Sequence, residues 1–181
     1  MEFRALAAAD LPLLQRWLAR PHVSEWWQPT PTLAELTDEY LPRLAMDVLP
    51  LDAEAGVTQY LVYDDGEAVG YIQAYRVMGR PGEAGHSPDG WWPDETDPGA
   101  LGIDQFIGLP ERLGQGLGTR MVRAFVEWLF LDARVTSVQV DPHPDNQRAI
   151  AAYRKVGFRE VDVVQTPDGP ALLLRLARQR W

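Results

Sequence analysis

The run Gly114-Gln115-Gly116-Leu117-Gly118-Thr119 lies between a β-rich stretch, Leu101 to Ile107, and a helical stretch that ends near Leu131. Glycines at such a junction let the backbone approach an anion. The N–H groups that open a helix have no intrahelical partner, and they point at that anion in a favourable dipole field. A pyrophosphate or phosphate is the natural ligand, although the same spacing also suits a plain flexible turn. The run is not a P-loop, because no Lys-Ser/Thr follows the last glycine. The dinucleotide fingerprint fails too, since Met121 stands where its third glycine belongs.

The flanking segments set the fold class. Glu2 to Leu6 reads as a strand. A helix follows from Asp10, with Leu11, Leu14, Trp17 and Leu18 at helical spacing. Pro21 to Trp27 reads as a loop, and Thr32 with Glu35 has capping-box spacing for a second helix through Tyr40. Val57 to Tyr63 and Ala68 to Val77 form a hairpin signal around Asp64-Asp65-Gly66. Gly79 to Gly99 is a long Gly-, Pro- and Asp-rich loop, of a length that is usually functional or disordered, and Trp91-Trp92 argues against disorder. Beyond the glycine run come a strand at Val135 to Val140, a helix from Asn146 to Val156 stopped by Gly157, and a closing hairpin, Phe158 to Val164 with Ala171 to Leu176. The expectation is one α+β domain, residues 1–181, with a mixed sheet.

Composition narrows the function classes. The chain has 181 residues, 46% hydrophobic and 24% charged, enough for one domain with a sizeable core. Its 17 Lys+Arg against 26 Asp+Glu leave a net charge of −9, which disfavours nucleic acid and anionic membranes and suits a cationic partner. With no cysteine, disulfides, thiolate metal sites and a Cys nucleophile are excluded. His22, His86 and His143 lack ligand spacing, so no metal is expected. No signal peptide or membrane-length apolar stretch is read, so a cytoplasmic setting is expected.

The glycine run, the following helix and strand, and Asn146…Ala149…Tyr153…Gly157-Phe158 together resemble the GNAT superfamily of acyl-CoA-dependent N-acetyltransferases. Glu25-Trp26-Trp27, Tyr40-Leu41-Pro42, Gly70-Tyr71-Ile72-Gln73, Asp89-Gly90-Trp91-Trp92, Gly102-Ile103-Asp104-Gln105 and Thr166-Pro167-Asp168-Gly169-Pro170 are similar to the aminoglycoside 6′-N-acetyltransferases. The resemblance implies the GNAT-type α+β fold, a mixed central sheet of about seven strands flanked by about four helices. It also implies acetyl transfer from acetyl-CoA to the 6′-amine of an aminoglycoside antibiotic. The segment Arg43 to Gly56 and the loop Gly79 to Pro88 depart from the family pattern, and Leu113 stands where the family often carries a basic residue or Gln.

Acetyl transfer to an ammonium requires that a proton leave the nitrogen and that the departing thiolate be stabilised. Asp104, an acid amid Leu101, Ile103, Phe106 and Ile107, is the candidate base; the alternative is a carboxylate on an exposed strand face. Tyr153 is the candidate acid, against a core tyrosine. By resemblance the cosubstrate meets Phe106, Ile107 and Leu109 of the strand, Leu113 to Thr119 of the loop (Leu113, Gly114, Gln115, Gly116, Leu117, Gly118, Thr119), and Asn146, Ala149 and Tyr153. Trp27, Tyr40, Val57, Gln73, Asp89, Trp92, Asp104, Asp141 and Asp168 match the acceptor pocket, with Glu54 a loose equivalent of a family glutamate. Turn chemistry is the alternative for Asp89, Asp141 and Asp168. Two further functions are open: N-acylation of another amine such as a hydroxamate-siderophore lysine precursor, and a binding module without catalysis. A monomer or weak dimer is expected.

Overall fold

The computed structural model describes residues 1–44, 49–53, 56–78, 95–166 and 169–181. Asp89, Trp92, Asp168 and Glu54 lie outside the described residues. The described residues form one sheet of seven strands: β1 (Glu2–Ala5), β2 (Val57–Asp64), β3 (Glu67–Arg76), β4 (Ala100–Ile107), β5 (Ser137–Val140), β6 (Arg159–Thr166) and β7 (Gly169–Ala177). Their order is β1-β2-β3-β4-β5-β7-β6, and every pairing is antiparallel except β4 with β5.

The exceptional pairing creates the site. β4 and β5 are in register only over Ala100↔Ser137, Leu101↔Val138 and Gly102↔Gln139. Beyond Gly102, β4 keeps its antiparallel bonds to β3 as far as Ile107 but loses β5 as a neighbour. That leaves one edge of β4 with backbone groups unpaired by the sheet, and such groups seek other partners.

Among the described residues, five α-helices cover the sheet: α1 (Leu11–Leu18), α2 (Pro21–Ser24), α3 (Leu33–Tyr40), α4 (Leu117–Leu129) and α5 (Gln147–Val156). The one-turn α2 falls in the segment read as a loop. Proline at its first position and two hydrogen bonds back to Arg20 O close the turn, which four residues cannot announce by periodicity. The capping box at Thr32 forms as expected.

Strand alternation sorts two cores onto opposite faces. One face buries Leu101, Ile103, Val138 and Ile72 under Met121, Phe125 and Tyr153 of α4 and α5. The other buries Leu61, Tyr71 and Phe106 under Leu14, Trp17, Val23 and Leu36 of the first three helices. Each large apolar side chain withdrawn this way contributes about 1.5–3 kcal/mol. Among the described residues, no helix is long and apolar enough to cross a membrane.

Candidate active site

The open edge of β4 faces two adjoining clefts. The first, about 280 Å³, is walled by β4 residues Phe106 and Ile107, by Leu113, Gly114 and the start of α4, and by Asn146, Arg148, Ala149, Ala152 and Lys155 of α5. Gly114 and Gly116 sit in the left-handed region, at φ 74° and 73°. A Cβ at either would meet nothing within 4 Å, so conformation rather than crowding demands glycine there. Gly116 caps α4 without a side-chain hydrogen bond, so the first-turn amides of Leu117, Gly118 and Thr119 line the cleft uncapped. Arg112 and Arg120 pin the loop to the β2–β3 hairpin through Asp64, at 2.7 and 3.0 Å. The charged and titratable side chains described on this wall, Arg148, Lys155 and His22, are all basic groups. An uncapped helix start facing cations is a cradle for phosphates.

The second cleft, about 840 Å³, shares Trp26, Trp27, Gln105, Asn146 and Ala149 with the first and continues over Glu25, Asp104, Asp141, His143 and Tyr153. Its described lining holds three carboxylates and neither lysine nor arginine.

Asp104 and Tyr153 reach this cleft from opposite faces of β4. Asp104 follows the Phe106 side, and its Oδ2 accepts a hydrogen bond from Gln73 Nε2 at 2.8 Å. Burial pushes its carboxyl from an ordinary value of 3.8 up to about 6, with the Gln73 amide pulling the other way. Tyr153 sits in the α4–α5 core, 5% exposed, and its hydroxyl accepts from Gln105 Nε2. Burial pushes this phenol well up; Gln105 lowers it, and the charges of Asp104 and Asp141 raise it further. It is therefore a proton-bearing group at neutral pH. Asn146 is both a wall of the two clefts and the N-cap of α5, its Oδ1 accepting from Ala149 N at 3.1 Å.

Most residues expected at the cosubstrate converge: Phe106, Ile107, Leu113, Gly114, Gly116 to Thr119, Asn146 and Ala149 line the first cleft. Gln115, Leu109 and Tyr153 do not, Tyr153 lining the second cleft instead. Gln115 turns its amide back to Glu111 O at 2.6 Å, and Leu109 packs against the core. Of the expected acceptor residues, Trp27, Asp104 and Asp141 line the second cleft. Trp27 also packs edge-on against Phe106 and Tyr71, with centroids 5.0 and 5.9 Å away. Gln73 stands behind Asp104, Tyr40 is 7% exposed in the helical core, and Val57 begins β2 opposite Tyr75; none of the three is in the described lining of these two clefts.

Several lining residues escaped the sequence. His22 brings Nε2 within 3.0 Å of Ile107 O, on the open edge of β4. Gln105 sits at the junction of the clefts. Arg148 and Lys155, seven apart on α5 with Ala152 between, carried a legible helical spacing that only the facing glycine loop makes meaningful.

A strand that parts from its parallel neighbour beside a helix-start phosphate cradle defines an acyl-CoA-type acyltransferase architecture. The acetyltransferase (GNAT) domain family matches residues 7–166, and the chain belongs to it. The aminoglycoside N(6′)-acetyltransferase type 1 of Klebsiella pneumoniae is 45% identical over 181 residues, 98% of this chain and 83% of that protein. The Serratia marcescens protein of the same name matches equally. The crystal structure of aminoglycoside acetyltransferase AAC(6′)-Ib in complex with coenzyme A superposes with a TM-score of 0.85 at 44% identity, covering 98% of this chain and 95% of that one. Its complex with coenzyme A and kanamycin gives 0.84 at the same identity and coverage.

Proposed function

We propose that this protein transfers the acetyl group of acetyl-CoA to the 6′-amine of an aminoglycoside antibiotic. The observation that carries this is the opposition of charge between two touching clefts. The first offers Arg148, Lys155 and helix-start amides to a phosphate-bearing donor, and the second offers Glu25, Asp104 and Asp141 to a polycation. The named activity of relatives 45% identical over nearly the whole chain supports the same assignment.

The donor's pyrophosphate rests on the amides from Gly116 to Thr119, and its pantetheine arm runs along the open edge of β4 over Phe106 and Ile107. The thioester carbonyl carbon then lies where the clefts meet. The acceptor ammonium gives one proton to Asp104, which passes it to water. The freed amine attacks the thioester carbon, the C–N bond forms and the C–S bond breaks. The nitrogen's second proton is lost in the same sequence and one proton ends on sulfur, so the products are the N-acetyl sugar, coenzyme A as its thiol, and one released proton. A base that titrates near 6 is matched to this work. Tyr153 serves the departing sulfur. A buried phenol holds its proton more tightly than a thiol, so it stabilises the thiolate by donating a hydrogen bond rather than by giving the proton away. Asn146 and Ala149 complete the wall between the sites, Leu113 closes the donor side, and Trp27 offers a flat face to a sugar ring. Tyr40, Val57 and Gln73, like Asp89, Trp92 and Asp168, are assigned to the same acceptor by resemblance.

A monomer or a weak dimer is the proposed catalytic unit. A thioester donor of this kind suits a reaction in the cytoplasm. The test is thiol release from acetyl-CoA with kanamycin or tobramycin, with the product's position read by mass spectrometry. Turnover on 6′-amino aminoglycosides is expected; turnover on N-hydroxylysine alone, or drug binding without product, would overturn the assignment.

A further inference from the structure

The Asp104 carboxylate is the end of a hydrogen-bond chain that begins deep under the helices. β2, β3 and β4 set Gln59, Gln73 and Asp104 in one cross-strand row, through Gln59↔Gln73 and Gln73↔Asp104. The adjacent row on the same face is Leu61, Tyr71 and Phe106, through Leu61↔Tyr71 and Tyr71↔Phe106. Tyr71 is fully buried, its ring stacked on Phe106 at 5.5 Å and met edge-on by Trp27. Its hydroxyl donates to Gln73 Oε1 at 2.7 Å, and Gln73 Nε2 donates on to Asp104 Oδ2 at 2.8 Å. Tyr40 and Gln59 hydrogen-bond to the same Tyr71 hydroxyl.

We propose that Tyr71 is a positioning residue for the reaction: by spending its one hydroxyl proton on Gln73 Oε1, it fixes the Gln73 amide with N–H, not C=O, against Asp104. The proposal rests on the assignment of Asp104 as the base. A carboxamide has nearly the same shape in either orientation, so packing alone selects neither. The phenol's single proton selects when it goes to Gln73 and the phenol oxygen takes its bonds with Tyr40 and Gln59 as an acceptor. With Oε1 held by Tyr71, the N–H must face the carboxylate, which favours its ionised, proton-accepting form. Reversed, Oε1 would oppose the carboxylate oxygen and favour the protonated acid. A chain in which every link donates in one direction also strengthens its last bond. Among the described residues, the charged and titratable groups that face Asp104 are Asp141, His143 and Glu25 across the cleft, Tyr153 from α5, Tyr71 from β3 and Tyr40 from α3. The group that opposes the effect of burial on this carboxyl is the Gln73 amide.

The test is the acid limb of the kcat/KM profile with kanamycin. Tyr71→Phe keeps the ring stack and removes the hydroxyl, and with it both the lock and the bonds to Tyr40 and Gln59. It is expected to move the limb up by about one pH unit, a loss of about tenfold near pH 5 that shrinks to little at pH 8. Gln73→Leu is expected to shift the limb in the same direction, and the double variant to match Gln73→Leu alone, because both act through one amide. An unmoved limb in Tyr71→Phe, or a loss equal at every pH, overturns the proposal. Asp104→Asn separates the two levels. If it retains full turnover, the base assignment fails on its own, and the lock is then judged by the Asp104 titration itself, followed by carboxyl NMR in wild type and Tyr71→Phe. If Tyr71→Phe does not fold, the wild-type protein still decides. Its Gln73 side-chain amide protons must titrate with Asp104, and the Tyr71 hydroxyl proton must exchange slowly. Failure of both overturns the assignment.

Discussion

Replacing Asp104 by asparagine should stabilise the fold while removing activity, and the gain should depend on pH in a defined way. Burial raises the Asp104 carboxyl from 3.8 to about 6 in the folded chain, whereas the unfolded chain keeps the ordinary value. Between those two values the native state holds a proton that the unfolded state has released. Stability therefore falls as pH rises through that window, and it is level above about 6 and below the ordinary value. A displacement of about two pH units, at about 1.4 kcal/mol each, makes the ionised carboxylate cost about 3 kcal/mol at neutral pH. The carboxamide of the Asp104→Asn variant carries no charge and still offers an oxygen to Gln73 Nε2. Urea unfolding of both proteins from about pH 4 to about pH 8 measures the difference directly, and the other titrating groups largely cancel in the comparison. The two curves should coincide near the lower end and separate by up to about 3 kcal/mol at about pH 7, in favour of the variant. Wild-type turnover should appear over the same interval in which its relative stability disappears. A difference that stays constant with pH would refute the account, since an exposed or well-solvated carboxylate has no such window.

Tyr153→Phe should lower kcat by about 10²-fold with little change in kanamycin affinity, measured by steady-state kinetics and calorimetry, because only the departing sulfur loses a donor. Gly116→Ala should cost about 1–2 kcal/mol in thermal stability and raise the KM for acetyl-CoA, since the strain lies in a left-handed φ of 73° at the first turn of α4. Leu113→Arg, which adds a cation to the donor cleft, should tighten acetyl-CoA binding several-fold at low salt, with the gain shrinking as salt is raised.

Much of the site is legible in the sequence because its signals are local. A glycine run between a strand and a helix says that φ must go positive and that amides will be free, whatever surrounds it; Gly114 and Gly116 do both. Asn146 announces the start of α5, and Asp104 announces itself as an acid in an apolar strand. Alternation alone even places Tyr71 with Gln73, and Asp104 with Phe106, on one side of their strands. Other expectations concern residues whose roles depend on neighbours distant in sequence. Tyr40 and Gln73 read as acceptor contacts; only the fold shows that Tyr40 packs under the helical layer and that Gln73 turns its amide to Asp104. Gln105 and His22 give no signal, because a glutamine and a histidine mean little until the chain folds.

What the residues alone determined, then, is the periodicity, the turn chemistry and the charge inventory, each a matter of neighbours within a few positions. The tertiary structure decided the register that sets Gln59, Gln73 and Asp104 in one row. It also decided the parting of β4 from β5 after Gly102, and the separation of basic and acidic walls into two touching clefts. These depend on which strands meet and where they stop meeting, and a one-residue slip would have turned Asp104 to the opposite face of the sheet.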